Sequence, residues 1–297
     1  MYIPSTELRN SESVNIDAVD TAEMLKMINN EDQKIALAVE KEIIHIAKAV
    51  EAAEAAIRGG GRIIYMGCGT SGRLGVLDAS ECPPTFNVPT DWFTGLIAGG
   101  PPALVKSSEA KEDIEELGVA DLKVINFSAK DFLVGLAASG RTPYVIGGLK
   151  YANTLGAKTA CVVCSKNSPM AEVSEIEVAV DTGPEAITGS TRMKAGTAQK
   201  MVLNMISTGA MVRLGKVYGN LMVDLRASNS KLVARAERII CEVTGCAAEQ
   251  AANSLAASEN NVKAAVIMIT KGHDLYAAQK LLEENGGLLK KCLVGSV

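Results

Sequence analysis

Two short stretches carry the residue types that hold an anion. Gly67-Cys68-Gly69-Thr70-Ser71-Gly72-Arg73-Leu74-Gly75 follows an aliphatic run and leads into a helix. Gly67, Gly69 and Gly72 satisfy G-x-G-x-x-G, whose glycines let backbone approach phosphate at a helix N-terminus. A nicotinamide-binding unit would also close its second strand with an acidic residue, whereas the second run here ends in Ala98-Gly99-Gly100. Thr70 and Ser71 instead supply hydroxyls that, with free N–H groups, suit a single phosphate monoester. The second stretch, Ala138-Ser139-Gly140-Arg141-Thr142-Pro143, is similarly small and hydroxylated, with Pro placed to begin a helix. Both stretches also fit ordinary tight turns between strand and helix. Ser190-Thr191-Arg192-Met193-Lys194 opens the longest C-terminal helical stretch, and reads either as a third ligand contact through Ser190, Thr191 and Lys194 or as a plain N-cap with a solvated first turn.

Two acidic positions could move protons. Asp78-Ala79-Ser80-Glu81-Cys82-Pro83-Pro84 closes the helix that begins at the first anion stretch. Tandem prolines are expected to end it, leaving Glu81 near a helix C-terminus, where the macrodipole favours the protonated carboxyl of a general acid. The plain alternative is an incidental helix-end glutamate. Glu109-Ala110-Lys111-Glu112-Asp113-Ile114-Glu115-Glu116 crowds like charges, which makes one member a better base but equally describes a solvated helix face. Its place after the second strand puts it on the sheet edge that carries both hydroxyl stretches.

The elements that must position these residues are legible from hydrophobic pattern. Ile63 to Met66, Phe93 to Ala98, Phe132 to Ala137, Thr159 to Cys164 and Ile176 to Val180 are short aliphatic runs, mostly continuous rather than alternating, separated by helix-length segments. That is the pattern of a parallel sheet covered on both faces, so the fold class is α/β, a doubly wound five-stranded parallel sheet. Glu31 to Arg58 carries helical periodicity through Ile35, Val39, Ile43, Ile46, Val50, Ala53 and Ile57, and reads as one long amphipathic helix. The first 20 residues read as a polar arm. After Ser190 strand signals cease; Ala247 to Ala257, Asn261 to Thr270 and Asp274 to Glu284 read as a small C-terminal three-helix appendage. The expected organisation is an arm over 1–30, a main domain over 31–243 and the appendage over 244–297.

Composition narrows the function classes. The 297 residues allow about two domains. Aliphatic residues supply most of the 47% hydrophobic content, since aromatics make up only 4%, and a core of ample size follows. The net charge of −4 lacks the basic excess that nucleic acid demands. No stretch reaches the 18 or so apolar residues of a membrane span, and the N-terminus has no signal-peptide core, so a cytoplasmic protein is expected. Seven cysteines, six of them in or beside apolar or helical stretches, suit a reducing compartment better than a disulfide framework. Cys161 and Cys164 form a lone C-x-x-C inside an expected strand, with only His45 and His273 elsewhere, so no metal is expected.

The string from Gly67 through Thr85 resembles the N-acetylmuramic acid 6-phosphate etherase family, which has the sugar isomerase (SIS) fold. The resemblance extends to Thr6-Glu7 with Arg9-Asn10, Gly95 to Gly100, Ala137 to Val145, Thr188 to Lys200 and Gly219 to Asp224. It implies cleavage of the D-lactyl ether of a sugar phosphate to N-acetylglucosamine 6-phosphate and D-lactate, in cell-wall sugar recycling or catabolism, without cofactor or metal. By the same resemblance Glu81 is the acid and Glu112 the base. The 6-phosphate falls to Gly69, Thr70, Ser71, Ser139, Gly140 and Thr142. Glu112 stands in Glu109-Ala110-Lys111-Glu112-Asp113, where the family has a glycine and a small residue in place of Ala110 and Lys111. A homodimer is also implied. An aldose–ketose isomerase would share proton abstraction at C2 but needs no acid at the C3 oxygen; a sugar-phosphate sensor like glucokinase regulatory protein would need neither glutamate.

Overall fold

The computed structural model describes residues 4–106, 109–225 and 230–294. Strands β1 (Ile63–Gly67), β2 (Phe93–Ile97), β3 (Phe132–Ala137), β4 (Lys158–Val163) and β5 (Ile176–Ala179) form one sheet in the order β2-β1-β3-β4-β5. Every pairing is parallel, and each strand begins and ends within one residue of the sequence expectation. The strands are apolar throughout because both faces are covered. Ile64, Met66, Leu133, Cys161 and Val163 cluster with Tyr144, Val145 and Leu149, and the alternate positions Ile63, Tyr65, Phe132 and Val134 are equally closed to water.

The helices in the first half are α1 (Thr21–Asp32), α2 (Lys34–Glu40), α3 (Ile43–Arg58), α4 (Gly69–Phe86), α5 (Glu115–Val124) and α6 (Pro143–Thr154). They are followed by α7 (Pro169–Glu172) and α8 (Lys194–Arg213). The expected single helix from Glu31 to Arg58 is thus divided among α1, α2 and α3. The break before α3 leaves Glu42 buried, where its carboxylate accepts from Ala179 N–H on the edge strand β5 at 3.3 Å and meets His45 Nδ1 at 2.7 Å. Satisfying that edge donor replaces continuity of the helix.

The polar arm is also more ordered than its composition suggests. It forms two 3₁₀ turns, Ser5–Glu7 and Ser11–Ser13, docked along residues 181–186. Ser5 Oγ donates to Asp181 Oδ1 at 3.1 Å, Asn10 Nδ2 to the Pro184 carbonyl at 3.2 Å, and Ser13 Oγ to the Ala186 carbonyl at 2.7 Å. Short polar side chains bonded to backbone carry this contact, and hydrophobic periodicity does not register it.

The chain divides into two units, Met1–Glu81 with Thr90–Ser207, and Cys82–Pro89 with Thr208–Val297. The first holds the sheet. In the second, α10 (Ala248–Ala257), α11 (Val262–Lys271) and α12 (Leu275–Glu284) fall where the three-helix appendage was expected. Their core also takes in Ala236, Ile239 and Ile240 of α9 (Ser230–Thr244) and Leu289 and Cys292 of α13 (Leu289–Val294). A two-residue hairpin, β6 (Val217–Tyr218) with β7 (Leu221–Met222), precedes them. The buried Lys263 ammonium is satisfied by Asp224 at 3.0 Å and the Gly287 carbonyl at 3.2 Å.

The first unit contains a buried ion pair between Lys194 Nζ and Glu31 Oε2 at 2.5 Å, both side chains nearly closed to water, with Lys34 also on Glu31. Burial pushes the Glu31 carboxyl up, but the hydrogen bonds from Lys194, Lys34 and Asn10 outweigh it and hold its pKa at about 2. A carboxyl that ionises more easily folded than unfolded contributes its stability fully above about pH 4.5 and loses it as pH falls toward 2. Glu31→Gln should cost about 3 kcal/mol at pH 7, because it strands a buried ammonium, and should flatten the acid limb of stability between pH 4.5 and 2. Urea unfolding across that range measures both.

Candidate functional site

Strand order 2-1-3-4-5 places the topological switch between β1 and β3, where ligands of open α/β sheets bind beyond the strand C-termini. Both hydroxyl-rich loops sit at that switch. After β1, the Gly72 N–H makes the bond to the Cys68 carbonyl at 3.0 Å, so the N–H groups of Gly69, Thr70 and Ser71 precede the first helical bond of α4. Gly69 takes φ +51° to turn the chain into that helix. After β3, Gly140 takes φ +68°, and Thr142 is the N-cap of α6 with its side chain making no cap bond. Thr70, Ser139 and Thr142 are half-buried. Two helix N-termini therefore converge with three hydroxyls, a suitable cradle for one phosphate.

Ser71 has a different position. Its Oγ is buried and donates to Gln199 Oε1 of α8 at 2.8 Å, which leaves its oxygen lone pairs and its backbone N–H for an anion. Nothing in the local pattern around Gln199 announces this support. Thr191 lies close to the cradle: a Cβ on Gly196 would stand 3.5 Å from Thr70 Cγ2 and 3.6 Å from the Thr191 carbonyl. Ser190 is half-buried in the turn before it. Lys194 is otherwise engaged, since its ammonium is spent on Glu31 and cannot serve a ligand. The first turn of α8 is not solvated either. Glu185 accepts from the backbone N–H groups of Lys194 and Ala195, each at 2.9 Å, and closes that helix N-terminus to anions.

Glu112 lies on a turn, because α5 begins only at Glu115 and the preceding Glu109–Lys111 is a 3₁₀ turn. Its carbonyl accepts from Tyr144 N–H at 2.9 Å, which ties the acidic segment to the first turn of α6. The buried Tyr144 hydroxyl donates to Asp121 Oδ2 of α5 at 2.7 Å and strengthens the same junction. The Glu112 side chain is half-buried and near the β1 loop: burial first, and then the Glu112 carboxylate, push the Cys68 thiol up to about 12. The base candidate thus stands at the anion cradle.

Glu81 does not. Contrary to expectation, Pro83 and Pro84 lie inside α4, which continues to Phe86 and stops where Asn87 adopts φ +50°. The terminal carbonyls are therefore more than a turn beyond Glu81, and only the last turn bears the missing proline donors. α4 also runs back along β1. A Cβ at Gly72 would sit 2.7 Å from the Gly67 carbonyl oxygen, and one at Gly75 would sit 2.9 Å from Tyr65 Cβ. Twelve residues of helix after Gly69, at about 1.5 Å each, carry Glu81 roughly 18 Å from the cradle, toward the opposite edge of the sheet. There it is exposed and lines a cleft of about 280 Å³ with Leu74, Leu77, Asp78, Lys200, Leu203 and Asn204. Asp78, buried and with its carboxyl pushed up by that burial, accepts from Asn204 Nδ2 at 2.6 Å and Ser207 Oγ at 3.1 Å, and so fixes α4 on α8.

Among the described residues no group of three or more His, Cys, Asp or Glu is arranged for a metal. All seven cysteines are free thiols, and among the described residues no helix is long and apolar enough to cross a membrane.

Comparison with known proteins matches residues 45–153 to the glucokinase regulatory protein N-terminal SIS domain and residues 118–208 to the SIS domain. Residues 219–271 match the C-terminal lid domain of glucokinase regulatory protein. The chain is 58% identical to an N-acetylmuramic acid 6-phosphate etherase of Clostridium botulinum strain Hall, over 97% of this chain and 95% of that one. It is 57% identical to the protein of that name from Cronobacter sakazakii, over 97% of each. Among solved structures, phosphoheptose isomerase GmhA from Neisseria gonorrhoeae superposes with a TM-score of 0.51 at 15% identity, covering 64% of this chain and 98% of its own. A phosphosugar isomerase involved in capsule formation from Bacteroides fragilis superposes with a TM-score of 0.50 at 21% identity, over 66% and 94%. These likenesses establish the SIS fold.

The cradle can be tested without turnover. A methyl at Gly140 would stand 2.4 Å from Ser168 Cβ and Oγ, at a φ that favours glycine. Millimolar inorganic phosphate should raise the Tm of the unaltered protein, and Gly140→Ala should cost about 2 kcal/mol and abolish that rise, as read by differential scanning fluorimetry.

Proposed function

This chain belongs to the N-acetylmuramic acid 6-phosphate etherase family, and we propose that it cleaves its sugar phosphate by elimination followed by addition of water. The enzyme removes the D-lactyl ether of N-acetylmuramic acid 6-phosphate, yielding N-acetylglucosamine 6-phosphate and D-lactate. The observation that carries the mechanism is Glu112 beside a cradle of two helix N-termini and three hydroxyls.

An ether resists simple hydrolysis near neutral pH. Once the ring opens, however, the C1 aldehyde acidifies the C2 hydrogen. Glu112 takes that proton, the C2–C3 double bond forms, and the C3–O bond breaks with its electrons going to oxygen. Glu81 supplies the proton that lets D-lactate leave; one chain carries it roughly 18 Å from its own cradle, so in the homodimer the acid for each sugar is the partner subunit's Glu81. Water then adds at C3, giving its proton to the Glu81 carboxylate, while Glu112 returns a proton to C2 and the ring recloses. Each proton transfer contributes about 10²- to 10⁴-fold. Gly69, Thr70, Ser71, Ser139, Gly140 and Thr142 hold the 6-phosphate, and that remote binding energy orients C2 and C3. Ser190 and Thr191 are placed for further contacts with the sugar. The free thiols suit a reducing cytoplasm. The working enzyme is a homodimer.

The unaltered protein given N-acetylmuramic acid 6-phosphate should release D-lactate, detectable with D-lactate dehydrogenase. Glu112→Gln should lower kcat at least about 100-fold and abolish deuterium exchange at C2. Undiminished exchange would assign the base to Glu109 or Asp113, and exchange without lactate in the unaltered protein would indicate an isomerase.

A further inference from the structure

The N-terminal arm crosses the edge of the sheet on which the cradle sits. Ser5 Oγ donates to the Cys164 carbonyl at 3.5 Å, and the Cys164 N–H donates to the Ala138 carbonyl at 2.8 Å, one residue before Ser139 of the cradle. A Cβ on Gly189 would stand 3.5 Å from Glu7 Oε2, which puts that carboxylate beside the turn carrying Ser190 and Thr191. Thr191 is in turn the neighbour of Thr70 across Gly196. Glu7 is thus held near the cradle between its β3 side and its α8 side. Its placement is fixed from both directions: Thr6 and Asn10 are buried, and Ser5, Asn10 and Ser13 are bonded to residues 181–186. Yet the Glu7 side chain is exposed, and among the described residues its carboxylate makes no hydrogen bond or ion pair. An ordered charge with no internal partner, on a segment pinned by its neighbours, is placed for a ligand rather than for folding.

Accepting the reading above, in which the cradle holds the 6-phosphate of the sugar, we propose that Glu7 is a specificity-determining residue that accepts a hydrogen bond from the sugar's C4 hydroxyl. Charge selects the kind of partner. A carboxylate repels both the phosphate and the lactyl carboxylate, so the group it faces must be an uncharged donor. With C6 anchored by its phosphate, C4 is the nearest carbon that bears a hydroxyl in the closed ring. That hydroxyl survives ring opening, elimination, water addition and closure. The contact therefore persists from substrate to product, and it strengthens binding throughout rather than one step of the chemistry. A sugar without the hydroxyl would desolvate the carboxylate and return nothing, which is how a polar contact rejects an analogue. Glu7 takes no part in proton transfer, which occurs at C2 and the C3 oxygen.

Calorimetric titration with the product, N-acetylglucosamine 6-phosphate, reads this contact without turnover. Glu7→Ala should weaken product binding about 10- to 100-fold, and Glu7→Gln, which keeps a neutral acceptor, should lose less. The Tm rise given by inorganic phosphate should be the same in both variants as in the unaltered protein. The 4-deoxy analogue of the product should bind the unaltered protein about as weakly as Glu7→Ala binds the parent sugar, with no further loss when the two changes are combined. In turnover Glu7→Ala should raise KM about 10- to 100-fold and leave kcat within about 3-fold. Unchanged product binding by Glu7→Ala would overturn the proposal. So would an equal further loss with the 4-deoxy sugar, or a phosphate response lost together with product binding, because either would reduce Glu7 to a support for the arm. An unaltered protein that responds to inorganic phosphate but does not bind the product would instead overturn the reading of the substrate.

Discussion

The close approach of α4 to β1 is the constraint from which the site follows. Gly72 and Gly75 have no side chain, so the helix axis comes to within backbone contact of Gly67 and Tyr65. That contact fixes the direction of α4 at its first turn. The N-terminal N–H groups are aimed at the space beyond β1 and β3, and the rest of the helix is committed to the opposite direction. A residue with a Cβ at position 72 would force the helix off the strand and carry the cradle with it. The placement of the α4 N-terminus beyond β1 and β3 and the remoteness of Glu81 from it are thus two consequences of one packing contact.

Buried polar groups decide which charges remain for a ligand. Three helix N-termini meet near the sheet's C-terminal edge, but that of α8 is consumed by Glu185, and Lys194 by Glu31. Those internal bonds remove a cation and two donors that could otherwise hold an anion. They also set the orientation of α8, whose Gln199 holds Ser71 and whose Asn204 and Ser207 hold Asp78. The cradle is consequently built on helices whose positions are over-determined by buried hydrogen bonds, which is how a binding site keeps its geometry without a ligand.

The sheet was legible because both faces of each strand are buried, and continuous aliphatic runs such as Phe132 to Ala137 have no other economical reading. The two glycine- and hydroxyl-rich loops were legible as strand-to-helix turns because glycine takes the positive φ that Gly69 and Gly140 adopt there. What escaped were long-range polar contacts. Nothing near residue 42 shows that its carboxylate caps Ala179, 137 residues away, and so breaks a helix that periodicity draws as continuous. Nothing near Lys194 shows Glu31 as its partner. The prolines misled for a local reason: at 83 and 84 they are close enough to the end of α4 that the path survives the loss of its last donors. Glu112 is singled out within its acidic run by resemblance alone, since such a run in isolation describes a solvated helix face equally well.

Separation of the two glutamates has a chemical logic. Two carboxyls side by side titrate as a coupled pair that shares one proton. Mounting them on elements that diverge within the chain keeps each in its own surroundings. Glu112 is half-buried on the turn before α5, and Glu81 is exposed on α4 beside Leu74 and Leu77. In the proposed elimination the C2–H electrons form the C2–C3 double bond as the C3–O bond breaks, so the two proton transfers are coupled through the substrate and need no contact between the carboxyls.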